Sequence, residues 1–443
     1  MIETPPVVAD DPHPPRWLAW TALALLSMAA LLSFIDRFVL SLLITPIKTS
    51  LGLSDTEIGL LMGPAFAVCF AVFGVPIGWL ADRANRRGIV AAGIATWSVM
   101  TAACGLATSF AGLFTARIGV GLGEAALNPC VVSLVSDYFP RALRSRAIGL
   151  YMAGAFLGAG GAYIVGGQAV AIIQQWPPVA LPIIGVLLPW QTAFVVVALP
   201  GLVLAGAMLL VPEPPRLAVG PTAAPPPLAV VRHVAAHAKA YAGVFLGMAG
   251  TTAISGSSFW SPVLFERAWG WDVDRTGLAI GIIILATGIP GANLGGWLAD
   301  RWTRRGRSDG PLLTCLVGSA VMLPGFVLYP LMPSGEWAAA WLSLAFFGLA
   351  VGTGVSPNAV AAVSPAKFKA QIAALFFMTI NLLGLFLGPP LVGALADRMA
   401  GADGIRYALS ISYAGFGVAT IAVLWWGLAA FRAMASVVAR EEP

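Results

Sequence analysis

Four charged residues interrupt segments of this sequence that are otherwise apolar: Asp36 and Arg37, adjacent, then Arg117 and Glu124, seven apart. A charge at the middle of a bilayer costs about 2.5–3.5 kcal/mol on insertion scales, so such groups pair with one another or line a wet cavity. Seven residues are two helical turns, about 20° off register, which puts Arg117 and Glu124 on one face with Cα atoms about 10 Å apart. That gap is long for a direct bridge, and Asp36 or Arg37 from another helix could complete the network. With both acids ionised, its net charge is zero. Burial favours a neutral carboxylate and a nearby Arg favours a charged one, so a carboxylate whose Arg partner moves can bind and release a proton. We read Glu124 as the principal proton carrier and Asp36 as its partner. Arg37 and Arg117 tune the pair or bind an anionic head group. The alternative is a permanently ionised network that fastens the first helix to the fourth.

The elements that must hold these residues are membrane helices. Of 443 residues only 10% are charged and 58% are hydrophobic, with a mean hydropathy of +0.86. A soluble domain carries about 25% charge. Uncharged runs cover Trp17–Ile35 and Ile148–Gln175, and about 20 apolar residues suffice for one span. The pattern predicts an all-α integral membrane protein with spans at 17–46, 57–81, 88–107, 110–138, 145–168, 189–211, 240–266, 276–298, 311–331, 337–360, 371–396 and 406–434. Seven prolines between Pro212 and Arg232 argue against a helix there. The chain thus divides into a tail (1–16), a six-helix half (17–211), a linker (212–239), a second half (240–434) and a tail (435–443).

Placing both termini in the cytoplasm of a cell with an inner membrane puts eighteen of the 25 Lys and Arg on that side and five opposite, the other two being Arg37 and Arg117. That asymmetry follows the positive-inside rule. The basic pI of 9.2 is then a topological signal, and no basic block interleaved with aromatics suggests nucleic acid. The four cysteines all fall in apolar spans without metal-ligand spacing and read as core residues, and His13, His233 and His237 lie in the tail or near the linker. No nucleophile–base pair, P-loop, metal set or cofactor motif is present, so an enzyme is not expected, although a membrane-embedded lipid-modifying enzyme is the competing class.

Gly78-Trp79-Leu80-Ala81-Asp82-Arg83-Ala84-Asn85-Arg86-Arg87 recurs as Gly296-Trp297-Leu298-Ala299-Asp300-Arg301-Trp302-Thr303-Arg304-Arg305. Each copy ends the second helix of its half, the organisation of a transporter built from two parallel repeats. A shorter echo, Gly393-Ala394-Leu395-Ala396-Asp397-Arg398, ends the eleventh span on the opposite side.

These motifs resemble the major facilitator superfamily. The resemblance implies two pseudo-symmetric six-helix bundles working by alternating access. It implies that Gly78 permits close helix approach, while Asp82 and Asp300 meet a neighbouring helix end and, with Arg83, Arg86, Arg87, Arg301, Arg304 and Arg305, latch the cytoplasmic gate. Asp137, Arg144 and Arg146 lie on the same side and could join them. Four further pieces resemble the spinster branch: Phe34-Ile35-Asp36-Arg37-Phe38, the stretch from Arg117 through Gly123-Glu124-Ala125, Phe259-Trp260-Ser261-Pro262, and Asn381-Leu382-Leu383-Gly384 with Gly388-Pro389. That branch moves lysophospholipids and sphingosine phosphates, at least some with proton coupling. Ser33-Phe34-Ile35 departs from it, since Asn-Tyr usually stands there.

Candidate cavity residues are Phe34, Phe66, Phe70, Asn128 and Ser133 in the first half, and Phe259, Trp260, Asn358, Phe377 and Asn381 in the second. For each aromatic, plain helix packing or lipid contact is the alternative. A cavity charged on one wall and apolar on the other suits an amphiphile. The expected partners are a small amphiphilic or anionic substrate, protons and membrane lipids, with the protein acting as a monomer. A small organic anion or drug-like solute is the alternative substrate. Glycines of the fifth and eleventh spans, with Pro389 and Pro390, point to tight packing or a bend there.

Overall fold

An apolar run in hydrocarbon has no water to satisfy its backbone, so the helix is the form open to it. The computed structural model describes residues 14–441 except 82, 183–184, 217–225, 400 and 402. The helical units in chain order are helix 1 (Arg16–Leu42), helix 2 (Asp55–Ala81), helix 3 (Arg86–Gly105), helix 4 (Phe110–Tyr138), helix 5 (Arg141–Gln174) and helix 6 (Pro189–Met208). Helix 7 (Ala238–Ser257), helix 8 (Val273–Arg304), helix 9 (Gly310–Leu331), helix 10 (Gly335–Ala362), helix 11 (Lys369–Arg398) and helix 12 (Gly404–Glu441) follow. Among the described residues, eleven helices are long and apolar enough to cross a membrane. Helix 7, at the seventh expected span of 240–266, is not one of them. Lys239, Thr251, Thr252, Ser255 and Ser257 dilute its apolar surface.

Several units break where the sequence offers a reason. Helix 2 is interrupted at Gly63, before Pro64, and helix 4 is interrupted directly after Glu124. Helix 7 runs through a 3-10 turn, Ser258–Trp260, into Ser261–Trp269 with Pro262 in its first turn. One expectation needs correcting. The segment expected to be non-helical contains a helix at Pro227–Ala236, with Pro226 at its N-cap and Pro227 at N1, where a missing N–H costs nothing. Helix 12 continues to Glu441, so most of the expected tail at 435–443 is helical. The connection between helices 5 and 6 carries strands Val179–Leu181 and Gly185–Leu187, paired antiparallel with Val179 opposite Leu187.

Within the first half helix 3 packs on helices 4 and 6; within the second, helix 9 packs on helices 10 and 12, and helix 7 on helices 11 and 12. The halves meet along two seams, helix 5 on helix 8 and helix 2 on helix 11. At the first seam the Gly167 and Gly277 backbones approach so closely that a Cβ on Gly277 would strike the Tyr163 carbonyl. Gly149 and Gly154, named with the other helix 5 glycines as packing sites, have nothing within 4 Å of such a Cβ. The terminal segments of helix 4 (Leu127–Tyr138) and helix 10 (Ser356–Ala362) pack within their own halves. The bundles are therefore joined at the end away from the chain termini and parted at the end that carries them.

Candidate functional site

Ser33, Asp36 and Arg37 share a face of helix 1, because three- and four-residue steps return to the same side. The break after Glu124 ends the first segment of helix 4 on that acid, opposite this face. Arg37 Nη2 donates to Glu124 Oε2 at 2.5 Å, and Ser33 Oγ donates to the same oxygen at 2.6 Å. Glu124 is buried, whereas Arg37 keeps a fifth of its side chain exposed. Its guanidinium lies 4.4 Å from the centroid of Phe66, 5.5 Å from Phe34 and 5.9 Å from Phe70, within cation–π range of all three.

Arg117 is buried, and its Nη1 donates to the backbone carbonyl of Asp36 at 3.3 Å. The Asp36 side chain is also buried. Its Oδ1 has no hydrogen-bond partner, and no cation stands at ion-pair distance among the described residues. The four charges are therefore together, but unevenly matched: Glu124 Oε2 has Arg37 and Ser33, while Asp36 Oδ1 and Glu124 Oε1 have no hydrogen-bond partner.

Beside this cluster a partly open cavity of about 200 Å³ lies between the halves, lined by Phe34, Phe38, Tyr163, Phe259, Ser258 and Phe346 among others. Phe34 and Phe259 thus stand on it. Trp260 does not; it is fully buried and its Nε1 donates to Pro389 O at 3.1 Å, tying helix 7 to helix 11. Asn381 donates to Phe377 O of its own helix, and Phe377, Asn358 and Asn128 are exposed and do not line this cavity. Asn128 accepts from Tyr151 Oη at 3.3 Å. Ser133 belongs to a different site: its Oγ accepts from Arg86 Nη1 at 2.9 Å near the terminal end of the bundle. Ser33 was missed, though its spacing from Arg37 marks it as a face-sharing residue.

The terminal end holds the repeated loop motif. Arg86 is buried and pairs with Asp137 and with Glu213, Nε to Oε1 at 2.8 Å. Glu213 also accepts from the backbone N–H of Arg86 and Arg87, capping helix 3, and Arg87 reaches Leu209 O and Val211 O. An anion at a helix N-terminus is favoured by the dipole. In the sequence Glu213 stands between Pro212 and Pro214, with nothing in its spacing to mark it as a partner of Arg86. Arg144 donates to Ser136 O, and Arg83 stacks 4.1 Å from the Trp79 ring. A Cβ on Gly78 would only touch Pro129, at 3.7 Å. Asp82 lies outside the described residues. Arg146, Asp300, Arg304 and Arg305 are exposed, and Arg301 lies over Trp297. Ala299 and Thr303 of the second copy lie against Gly310 at the start of helix 9, while Asp300 makes no ion pair among the described residues.

The second half instead repeats the first half's contact with the charges exchanged. Asp309, at the N-cap of helix 9, receives Arg307 Nε at 3.0 Å and Arg432 Nη2 of helix 12 at 2.7 Å. Burial alone would push this carboxyl up, but the hydrogen bonds from Arg307 and Arg432 hold it below the usual aspartate range. A depressed folded value means stability that is complete above the unfolded value, about 3.9, and lost as pH falls through the folded one. Asp309→Asn should therefore cost about 1 kcal/mol at neutral pH, the half-exposed arginines screening the rest. It should also flatten the acid limb of a melting-temperature profile below about pH 4. An acid limb identical to that of the unmodified protein would contradict this.

Residues 26–389 match the family model described as Major Facilitator Superfamily. The chain belongs to that superfamily. This transporter is 30% identical over 437 residues to an MFS-type efflux pump of Mycolicibacterium smegmatis, covering 95% of each chain. It is 26% identical over 399 residues to protein spinster homolog 1 of Mus musculus, covering 83% of this chain and 71% of that one. Its structure is similar, with a TM-score of 0.78 and 25% identity over 96% of this chain and 98% of the other, to a bacterial homologue of the human lysosomal transporter spinster in an inward-facing, unoccupied conformation. The transporter is thus a multi-pass membrane protein of the secondary-active, non-enzymatic kind, with two six-helix bundles and homology to the spinster branch.

Proposed function

We propose that the transporter is proton-coupled, lies in the inner membrane with both termini in the cytoplasm, and moves an amphiphile of the lysophospholipid or sphingosine-phosphate type. The observation that carries the coupling is the buried Asp36 carboxyl, which has no ion-pair partner among the described residues and whose Oδ1 has no hydrogen-bond partner, beside the Arg37–Glu124 pair. A buried unpaired carboxylate costs several kcal/mol, and a proton removes that cost. In this conformation Asp36 is the group placed to take a proton, while Glu124 is held by hydrogen bonds from Arg37 and Ser33. If Arg37 turns to an anionic head group, Glu124 loses its counter-charge and becomes the next acceptor. Head-group binding and proton uptake are then linked through one guanidinium. The aromatic cavity beside Phe34 and Phe259 supports an apolar portion on the substrate. Arg37 within reach of that cavity supports an anionic head. The Lys/Arg asymmetry of the loops supports the orientation.

The test is uptake of a fluorescent lysophospholipid into liposomes under a pH gradient. The unmodified transporter should accumulate it, and Asp36→Asn should carry it only down its own gradient. Accumulation by Asp36→Asn at the normal level would remove Asp36 from the coupling. The second reading, a small organic anion or drug-like solute, is supported by the 25% identity over 439 residues to a D-galactonate transporter of Escherichia coli, whose named substrate is a sugar acid. It would replace the first if the same liposomes move such a solute and no lysolipid.

A further inference from the structure

The third, shorter copy of the loop motif ends helix 11 at the end of the bundle away from the termini. There it faces the start of helix 2 in the other half. Helix Asp55–Met62 begins with a complete set of donor–acceptor matches. Ser54 Oγ accepts from Glu57 N, and Glu57 Oε2 accepts in return from Ser54 N. The two remaining first-turn donors are met from across the seam. Asp397 Oδ1 accepts from Asp55 N at 2.9 Å, and Oδ2 accepts from Thr56 N at 2.8 Å and Thr56 Oγ1 at 2.6 Å. The motif's glycine, Gly393, lies so close that a Cβ there would overlap the Asp55 carbonyl. Lys48 and Arg267, one from each half, both pair with Asp55, at 2.6 and 3.3 Å. Thr45 donates to Glu266 at 2.6 Å, a further bond between halves.

We infer that Asp397 is a positioning residue for transport: it latches the outer gate shut by capping helix 2, as the resemblance expects the terminal-side copies to do for the inner gate. Each part of the motif has a use in this arrangement. The glycine admits the helix 2 backbone, and the aspartate supplies the acceptor that its N-terminus lacks. Opening this end leaves Asp55 N and Thr56 N to water and separates the carboxylate from the helix dipole. The terminal-side Asp300 is exposed and makes no ion pair among the described residues, which matches a molecule closed at one end and parted at the other. The inference needs no knowledge of the substrate or of the proton carrier, so its failure is separate from theirs.

The test is the distance between spin labels at S50C and Y407C, both exposed positions at this end, one in each half. Cys69 is replaced by Ala; Cys104, Cys130 and Cys315 are buried. Without further substitution the short, closed distance should dominate. Asp397→Asn should raise the ratio of long to short distances by about 3- to 30-fold, the range expected for losing an anion at a helix N-terminus. Thr56→Val, which removes one donor, should shift it the same way by less. An unchanged distribution in Asp397→Asn would overturn the inference. So would opening by Arg267→Gln with none by Asp397→Asn. If Asp397→Asn does not fold, Thr56→Val decides: a shift supports the latch and no shift overturns it.

Discussion

Glu124→Gln should destabilise the purified transporter by about 3 kcal/mol, the low end of the range for breaking a buried ion pair. Low, because Arg37 retains a fifth of its side chain in the open and can recover some solvation. The substitution keeps the shape of the side chain and a hydrogen-bond acceptor for Ser33, so the lost charge is what the measurement reads. It leaves the Arg37 guanidinium among Phe34, Phe66 and Phe70 without a counter-ion. Those rings supply only about 0.5–2 kcal/mol each way of cation–π attraction. Proton-driven flux should also fall, because the glutamine offers no acceptor for a proton when Arg37 turns away. The check is a double-mutant cycle of thermal melts with Arg37→Met. The pair of substitutions together should be milder than the sum of the two, by about 1–3 kcal/mol. Additive effects would mean that Arg37 and Glu124 do not act as a unit.

The second large effect is expected at Arg86. Its buried guanidinium serves Asp137, Glu213 and Ser133 together, and Pro214 O accepts from its Nη2. Arg86→Ala would strand two acids near the membrane surface and unpin the segment after helix 6 from the start of helix 3. A cost of about 3 kcal/mol is expected, the partly exposed acids recovering some water. Lysine should not rescue it, because a single ammonium cannot span acceptors that a planar fork reaches from three nitrogens. Melts of Arg86→Ala and Arg86→Lys, alone and with Glu213→Gln, test this. Full rescue by lysine would show that charge alone matters there.

Composition and periodicity carried the membrane class, the two halves and the pairing of helix 1 with helix 4, because those depend on runs and spacings. What stayed hidden depended on which way a side chain turns. Ser133 follows Glu124 by nine residues, two and a half helical turns, which puts it on the opposite face, and there it accepts from Arg86. Trp260 stands beside Phe259 in sequence, but the 3-10 turn sends one ring to the cavity and the other to Pro389. Glu213 lay among prolines that marked it as linker, when rigid flanking backbone is what holds it over helix 3. The faint resemblance of 393–398 to the loop motif was legible, though its partner is 341 residues away on the chain from Asp397 and no spacing rule reaches so far.

The exchanged charges at the starts of helices 3 and 9 bear on how the chain sorts itself while it is being inserted. Each half must close with its own last segment, and the halves are near copies. Had both starts been basic and both closing segments acidic, helix 3 could receive the partner meant for helix 9. As built, the crossed encounters set Arg86 against Arg432 and Asp309 against Glu213, like charge facing like. Only the encounters within a half are attractive. Two similar bundles made one after the other thus carry opposite keys, and an earlier half already closed offers nothing for the later one to steal.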